Sequence, residues 1–252
     1  MRSETRRCTQ ILIDLHCHIL PALDDGALDL ADSVAMARQA ERDGISVVCA
    51  TPHIRDDHDV RIQELPGRVA ALQDELDRLG VAVRIAQGGE VAQPAADALS
   101  DEHLHAVSLD GGDWILLEPA PGPLADELPA LVERLAARGA RAILAHPERH
   151  AGADLVARLR ALIARGCLIQ WTADFIARSD LDDPDAFVLR LARDGLVHLL
   201  ASDAHSSHGG RPLRLSAGID RLREVCTAAQ VRWIAEQAPA AIIRGERPTP
   251  PW

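Results

Sequence analysis

With 252 residues, of which 47% are hydrophobic and 26% charged, the chain can bury one large core and has the composition of an ordinary globular domain. Its net charge of −11 argues against a nucleic-acid backbone or an anionic membrane surface as the main partner. All 27 basic residues are arginine and tyrosine is absent, biases that a GC-rich coding sequence accounts for. Five cysteines (Cys8, Cys17, Cys49, Cys167 and Cys226) lack CxxC spacing, which suits free thiols in a reducing compartment. The opening MRSETRRCTQ has no apolar signal region and no apolar segment is long enough to span a membrane, so the cytoplasm is the expected location.

In chain order, the first apolar run, Ile11–Leu15, leads straight into His16 and His18. Residues i and i+2 of an extended chain share one side, so these two imidazoles point together. A helix is predicted over Asp32–Asp43, then a second run, Val47–Ala50, followed by His53. A helix over Leu65–Leu79 precedes the run Val83–Ala86, after which Glu90 follows two glycines that would let the backbone approach a ligand. The fourth run, Trp114–Leu117, ends in Glu118. A helix over Leu124–Arg138 leads to Ala142–Leu144 and His146. Next come a helix over Leu155–Arg165 and the run Leu168–Gln170, where Trp171 is expected to wall a pocket. After a helix over Asp182–Asp194, the run Val197–Leu200 delivers Asp203 and His205. Helices over Leu213–Val225 and Ala229–Ile243 complete the chain. Helix stops such as ERDG, DRLG and AARG offer a glycine for the left-handed cap position.

Strands alternating with helices imply parallel strands joined by right-handed crossovers. Seven nearly pure apolar strands suggest a closed or nearly closed barrel with helices outside, as a single domain. Residues 1–10 would be an N-terminal extension and 245–252 a C-terminal tail. Functional groups of such barrels gather at the C-terminal ends of the strands. Here six of the seven strands send an imidazole or a carboxylate there, which predicts a polynuclear metal site. Imidazole with carboxylate and no thiolate cluster favours Mn, Zn or Fe over Mg or Ca. Many barrel amidohydrolases bridge two metals with a carbamylated lysine. This chain has no lysine, so a carboxylate must bridge, and Glu90 is well placed.

Other features carry blander readings. CATPHIR, residues 49–55, matches the C-x5-R spacing of thiol phosphatases. It has a proline and no glycine, however, so the loop of backbone N–H groups that such chemistry needs is missing. Cys49 is therefore read as a small buried residue. His58, His150 and His208 are candidates for the substrate rim, His198 is expected inside a strand, and His103 and His105 lie far from any strand end. Trp114, Trp233 and Trp252 read as packing residues.

The stretches IDLHCHILPALDDGA, ATPH, GGEV, ILLEP, LAHPER and ASDAH occur in this order from residue 11 to about 212. Together they resemble the PHP (polymerase and histidinol phosphatase) superfamily. The DDG after HxH and the Arg after HPE point to its branch of bacterial metal-dependent protein-tyrosine phosphatases of capsule and exopolysaccharide loci. The resemblance implies a distorted seven-stranded (β/α) barrel holding three divalent ions, manganese first with Fe, Zn or Mg as alternatives. Their ligands would be His16, His18, Asp25, His53, Glu90, Glu118, His146, Asp203 and His205, with Arg149 and Arg211 as catalytic, phosphate-contacting residues. It implies attack of metal-activated water on a phosphotyrosyl protein, such as a bacterial tyrosine kinase, in the control of polysaccharide synthesis. Segment 55–64, RDDHDVRIQE, lacks the family's usual asparagine and aromatic character. A small-molecule phosphatase acting on a substrate like histidinol phosphate therefore stays open, and a PHP nuclease is disfavoured by the acidic chain.

Overall fold

The computed structural model describes residues 12–150, 152–179 and 187–252. Its first half consists of β1 (Leu12–Cys17), α1 (Leu30–Asp43), β2 (Ile45–Ala50), β3 (His53–Ile54), α2 (Leu65–Arg78), β4 (Arg84–Gln87) and β5 (Glu90–Ala92). The short helices α3 (Gln93–Ala96) and α4 (Asp101–Ala106) precede β6 (Trp114–Glu118). There follow α5 (Leu128–Ala137), β7 (Arg141–Leu144), α6 (Leu155–Ile163), β8 (Leu168–Thr172), α7 (Ala173–Ala177), α8 (Phe187–Arg193) and β9 (Leu199–Ala201). The chain closes with α9 (Ser216–Val225), α10 (Ala228–Arg232) and α11 (Ala238–Ile243).

All strand pairs are parallel, in two sheets ordered β1-β2-β4 and β3-β5-β6-β7-β8-β9. Nine short strands thus stand among the described residues where seven runs were expected. The reason lies in two interruptions. Ala50 pairs with Gln87 and His53 with Glu90 at the same sequence offset. β3 and β5 therefore resume the courses of β2 and β4 after the breaks at Thr51-Pro52 and Gly88-Gly89. At the other margin β9 returns to β1. Cys17 bridges to Ala204, Asp203 N–H donates to His16 O at 2.9 Å, and His18 N–H donates to Ala204 O at 2.9 Å.

Every residue of β1 and β8 is buried, as expected for parallel strands covered on both faces. α1 shows why the sequence starts and stops where it does. Asp29 caps it by accepting the Asp32 N–H, and Gly44 ends it with φ of 83°. The pair Gly88-Gly89 has a packing cause. A Cβ there would lie 2.8 Å from the Leu109 side chain and 2.9 Å from that of Ile54. These glycines seat the strand break against the core.

Several boundaries differ from the sequence reading. α5 starts only at Leu128, with Pro129 in its first turn. α9 starts at Ser216 because the Asp43 carboxylate accepts the Leu215 and Ser216 N–H groups at 2.6 and 2.9 Å. The single helix expected over Ala229–Ile243 is divided by a π-helical turn, Trp233–Gln237, with Pro239 at the start of α11. Proline has no N–H to continue the α-helical pattern. Part of the helix expected over Asp182–Asp194 falls outside the described residues, and α8 is what is described of it. His198 precedes β9 instead of lying within it. It is buried, and its Nδ1 accepts the Ile169 N–H at 3.0 Å. Trp171 is fully buried and packs inside, donating from Nε1 to Leu196 O at 3.1 Å. No described helix is long and apolar enough to cross a membrane.

Candidate metal centre

His16 lies in β1 and His18 just beyond its end, and their Nε2 atoms are 3.2 Å apart. His53 opens β3, Glu90 opens β5 and Glu118 ends β6. His146 follows β7, and Asp203 and His205 follow β9. The structure brings all nine expected ligands together in four overlapping groups: His18, Asp25, His53 and His205; His16, His146 and Asp203; His16, His18 and Glu90; His53, Glu90 and Glu118. Within each group the donor atoms lie within 4.8 Å of one another.

Glu90 is the hub. Its Oε2 is 3.3 Å from His16 Nε2, 3.2 Å from His18 Nε2 and 3.1 Å from His53 Nδ1, and its Oε1 is 2.8 Å from His146 Nε2. Burial raises the Glu90 pKa, but the surrounding imidazoles of His16, His146 and His18 outweigh it and hold the carboxyl well below its ordinary range. Burial lowers the His18 pKa, yet its contacts with Asp24 and Glu90 bring it up to about 10. His205 goes the other way, down to about 4, through burial and then repulsion from His18.

Glu90 Oε2, His53 Nδ1 and His146 Nδ1 are buried without hydrogen-bond partners. Unpaired polar atoms in a core are costly, and a cation satisfies carboxylate oxygens and imidazole nitrogens at once. The donor set, imidazole and carboxylate without thiolate, fits divalent ions of the Mn, Fe or Zn type. The residues present therefore fit a metal centre.

A second layer orients these groups, and sequence reasoning missed it. His18 Nδ1–H donates to Asp24 Oδ2 at 2.7 Å, and the same carboxylate accepts the His53 and Gly26 N–H groups at 3.0 Å each. His16 Nδ1–H donates to Gln170 Oε1 at 3.0 Å, so β8 contributes an amide to the site. Asp14, fully buried, accepts the Ser202 N–H at 3.0 Å and the Ser202 hydroxyl at 2.5 Å. Burial lifts its pKa to about 6, with those Ser202 bonds opposing. The DDG triplet now has a physical meaning: Asp24 orients, Asp25 faces the cluster, and Gly26 must lack a side chain. A Cβ on Gly26 would sit 2.2 Å from the His18 carbonyl oxygen.

Backbone at the centre is unusual. His146 and Asp203 have φ of +30° and +51°, values that side-chain-bearing residues rarely adopt. Both expected arginines reach the cluster's edge. Arg149 pairs with the Asp203 carboxylate. Arg211 Nε–H donates to Asp203 O at 2.6 Å, with its Nη2 2.8 Å from His205 Nδ1.

Among the weaker candidates, only His58 joins the rim, its ring stacked on His53 at 5.1 Å. His150 is buried and donates from Nδ1 to Gly122 O at 2.7 Å, a structural role. His208 is exposed, 3.8 Å from Asp32, and His103 sits on α4 beside Gln63. Cys49 is fully buried in β2 and burial pushes its thiol well above the ordinary range, which removes it as a nucleophile. Trp114 and Trp233 are buried, while Trp252 is 45% exposed and packs edge-on against Trp233.

Known proteins share this architecture. Residues 12–244 match the family described as capsular polysaccharide synthesis, CpsB/CapC. The tyrosine-protein phosphatase YwqE of Bacillus subtilis is 36% identical over 212 residues, covering 77% of this chain and 78% of its own. The tyrosine-protein phosphatase CpsB of Streptococcus pneumoniae is 23% identical over 240 residues, 92% of this chain and 98% of its own. A solved structure from work on YwqE of Bacillus subtilis and CpsB of Streptococcus pneumoniae, described there as unique metal-dependent tyrosine phosphatases, superposes with a TM-score of 0.81 at 27% identity. That match covers 95% of this chain and 99% of the other. The capsule-locus branch of PHP phosphatases indicated by the motifs is borne out, and the chain belongs to the CpsB/CapC family.

Proposed function

We propose that this chain is a metal-dependent tyrosine-protein phosphatase. The observation that carries the reading is the convergence of nine imidazole and carboxylate side chains, Glu90 among them, in four overlapping groups, with buried donor atoms unpaired. In this reading His16, His18, Asp25, His53, Glu90, Glu118, His146, Asp203 and His205 hold three divalent ions, manganese first among Mn, Fe, Zn and Mg. Such ions, when bound, lower the pKa of water toward ~7 and neutralise phosphoryl oxygens.

The chain's own residues do the rest. Asp24 and Gln170 fix the ring orientation of His18 and His16. Arg149 and Arg211 present guanidinium groups at the cluster's edge, where Asp203 holds both. There they can grip the phosphoryl oxygens as charge builds on them. A tyrosyl leaving group needs little proton assistance, since a phenol has a pKa of about 10.

The finer parts of the proposal are a seven-stave (β/α) barrel, with β2–β3 and β4–β5 each counted as one stave, and a single domain spanning the chain. They extend to a cytoplasmic location and a phosphotyrosyl partner such as a bacterial tyrosine kinase in polysaccharide synthesis. A small phosphate monoester such as histidinol phosphate is the second reading, favoured by the non-aromatic segment at 55–64.

The test is hydrolysis of p-nitrophenyl phosphate after chelation, with Mn, Fe, Zn or Mg added back. Activity should vanish on chelation, return best with manganese, and resist thiol alkylation. Glu90→Gln should lose at least about 100-fold in kcat. Activity that survives chelation or dies on alkylation overturns the proposal. A higher kcat/KM for histidinol phosphate than for a phosphotyrosyl peptide selects the second reading.

A further inference from the structure

A cavity of about 390 Å³ opens beside Glu118, which therefore lines both this cavity and the metal centre. Pro94 and Ala95 line it from one segment and Pro119 and Ala120 from another, together with Arg55 and Glu118. The walls are tied together, because the Ala120 N–H donates to Gln93 Oε1 at 3.1 Å. Arg55 is fixed at two points: its Nε lies 2.6 Å from Asp57 Oδ1 and its Nη1 3.5 Å from Glu118 Oε2.

We propose that this cavity is the subsite for the aromatic ring of the substrate, with Arg55 as its specificity-determining residue. The inference rests on the phosphatase reading and deepens it. Three observations select a neutral ring. The walls are alanine and proline, which offer apolar surface and no hydrogen-bond donors except backbone. The charged groups at the mouth, Asp56, Asp57 and Glu118 against Arg55, repel an anionic side chain but not an uncharged ring. A cavity of roughly 150 Å³ already holds benzene, so this one takes a phenyl ring with room for part of a flanking peptide. A ring seated there stacks on the guanidinium of Arg55 while its phosphoryl group reaches the metal centre past Glu118.

The experiment compares binding of phenylphosphonate and methylphosphonate to the manganese-loaded protein by calorimetry, a readout independent of turnover. Phenylphosphonate should bind about tenfold more tightly, from ring burial and stacking together. Ala95→Trp, which fills the cavity, and Arg55→Ala, which removes its cationic face, should each cut that ratio below about threefold. Ala120→Leu serves as the filling variant if Ala95→Trp does not fold. A ratio near one in the unaltered chain, or a ratio that survives both kinds of variant, overturns the subsite. If manganese-dependent hydrolysis of p-nitrophenyl phosphate persists in that case, the phosphatase reading stands without it. If neither phosphonate binds and no hydrolysis occurs, both fall.

Discussion

His18 is held at both ends, by Asp24 at Nδ1 and by Glu90 at Nε2. The Asp24 contact sets which nitrogen faces the cluster and raises the basicity of that nitrogen. Without metal, His18 keeps its proton up to a pKa of about 10, and a metal ion must displace that proton to bind. Metal affinity should therefore tighten as pH rises from 6 to 9, by up to about tenfold per unit for one displaced proton. Asp24→Asn, which keeps the shape and removes the charge, should weaken metal binding about 10- to 100-fold and flatten that slope. Dissociation constants measured by chelator competition at several pH values check both; an unchanged slope speaks against the orienting role. Eight of the nine groups were legible in the sequence because each stands at or near the end of an apolar run, and Asp25 only through the resemblance carried by the DDG triplet. Asp24 and Gln170 were not. The first aspartate of a doublet reads as a solvated loop residue, and a single glutamine as an ordinary strand end. Their meaning depends on contacts with His18 and with the far-off His16.

The site's loops are clamped by α1. On α1, Asp32 accepts the Leu28 N–H at 3.1 Å with one oxygen and the Ser207 N–H at 2.9 Å with the other. Gln39, two turns further on, donates to Ser207 O at 2.9 Å. One helix thereby fixes both the loop bearing Asp25 and the loop bearing His205 and Arg211. Asp32→Ala should leave two amides unpaired, costing about 1–3 kcal/mol each if they stay dry. It should also raise KM for p-nitrophenyl phosphate about tenfold through a displaced Arg211. Thermal unfolding and steady-state kinetics test this, and a stability loss with KM unmoved would confine Asp32 to a structural role. At this scale the sequence was legible where a local signal decides, as with the Asp29 cap and Gly44 stop of α1. It misled where a distant group decides. The start of α9 is set by Asp43 of another helix, and no periodicity carries that.

Across the molecule, the cluster draws side chains from the courses of β1, β2–β3, β4–β5, β6, β7 and β9, so bound ions would cross-link most of the barrel mouth. Four of the nine groups are carboxylates, crowded together in a chain whose net charge is already −11. Metal should therefore stabilise the whole fold. At a free concentration about 100 times Kd, the gain is about 2.7 kcal/mol. For a domain of this size that is roughly 5–10 °C in melting temperature. Differential scanning calorimetry with manganese and with chelator measures it directly, and coincident melting curves would count against a shared, fold-spanning site. The parallel α/β architecture was legible from the alternation of apolar runs and amphipathic segments. The division of its strands was not, since Thr51-Pro52 and Gly88-Gly89 look like the ends of strands and act as gaps within them.

The left-handed backbone at His146 and Asp203 carries an evolutionary corollary. Glycine would relax either position by about 1 kcal/mol, so thermodynamic drift pulls both toward it and only the chemistry holds an imidazole and a carboxylate in place. A descendant of this protein that had lost its task would be free to yield at these two codons first, growing sturdier as it fell silent.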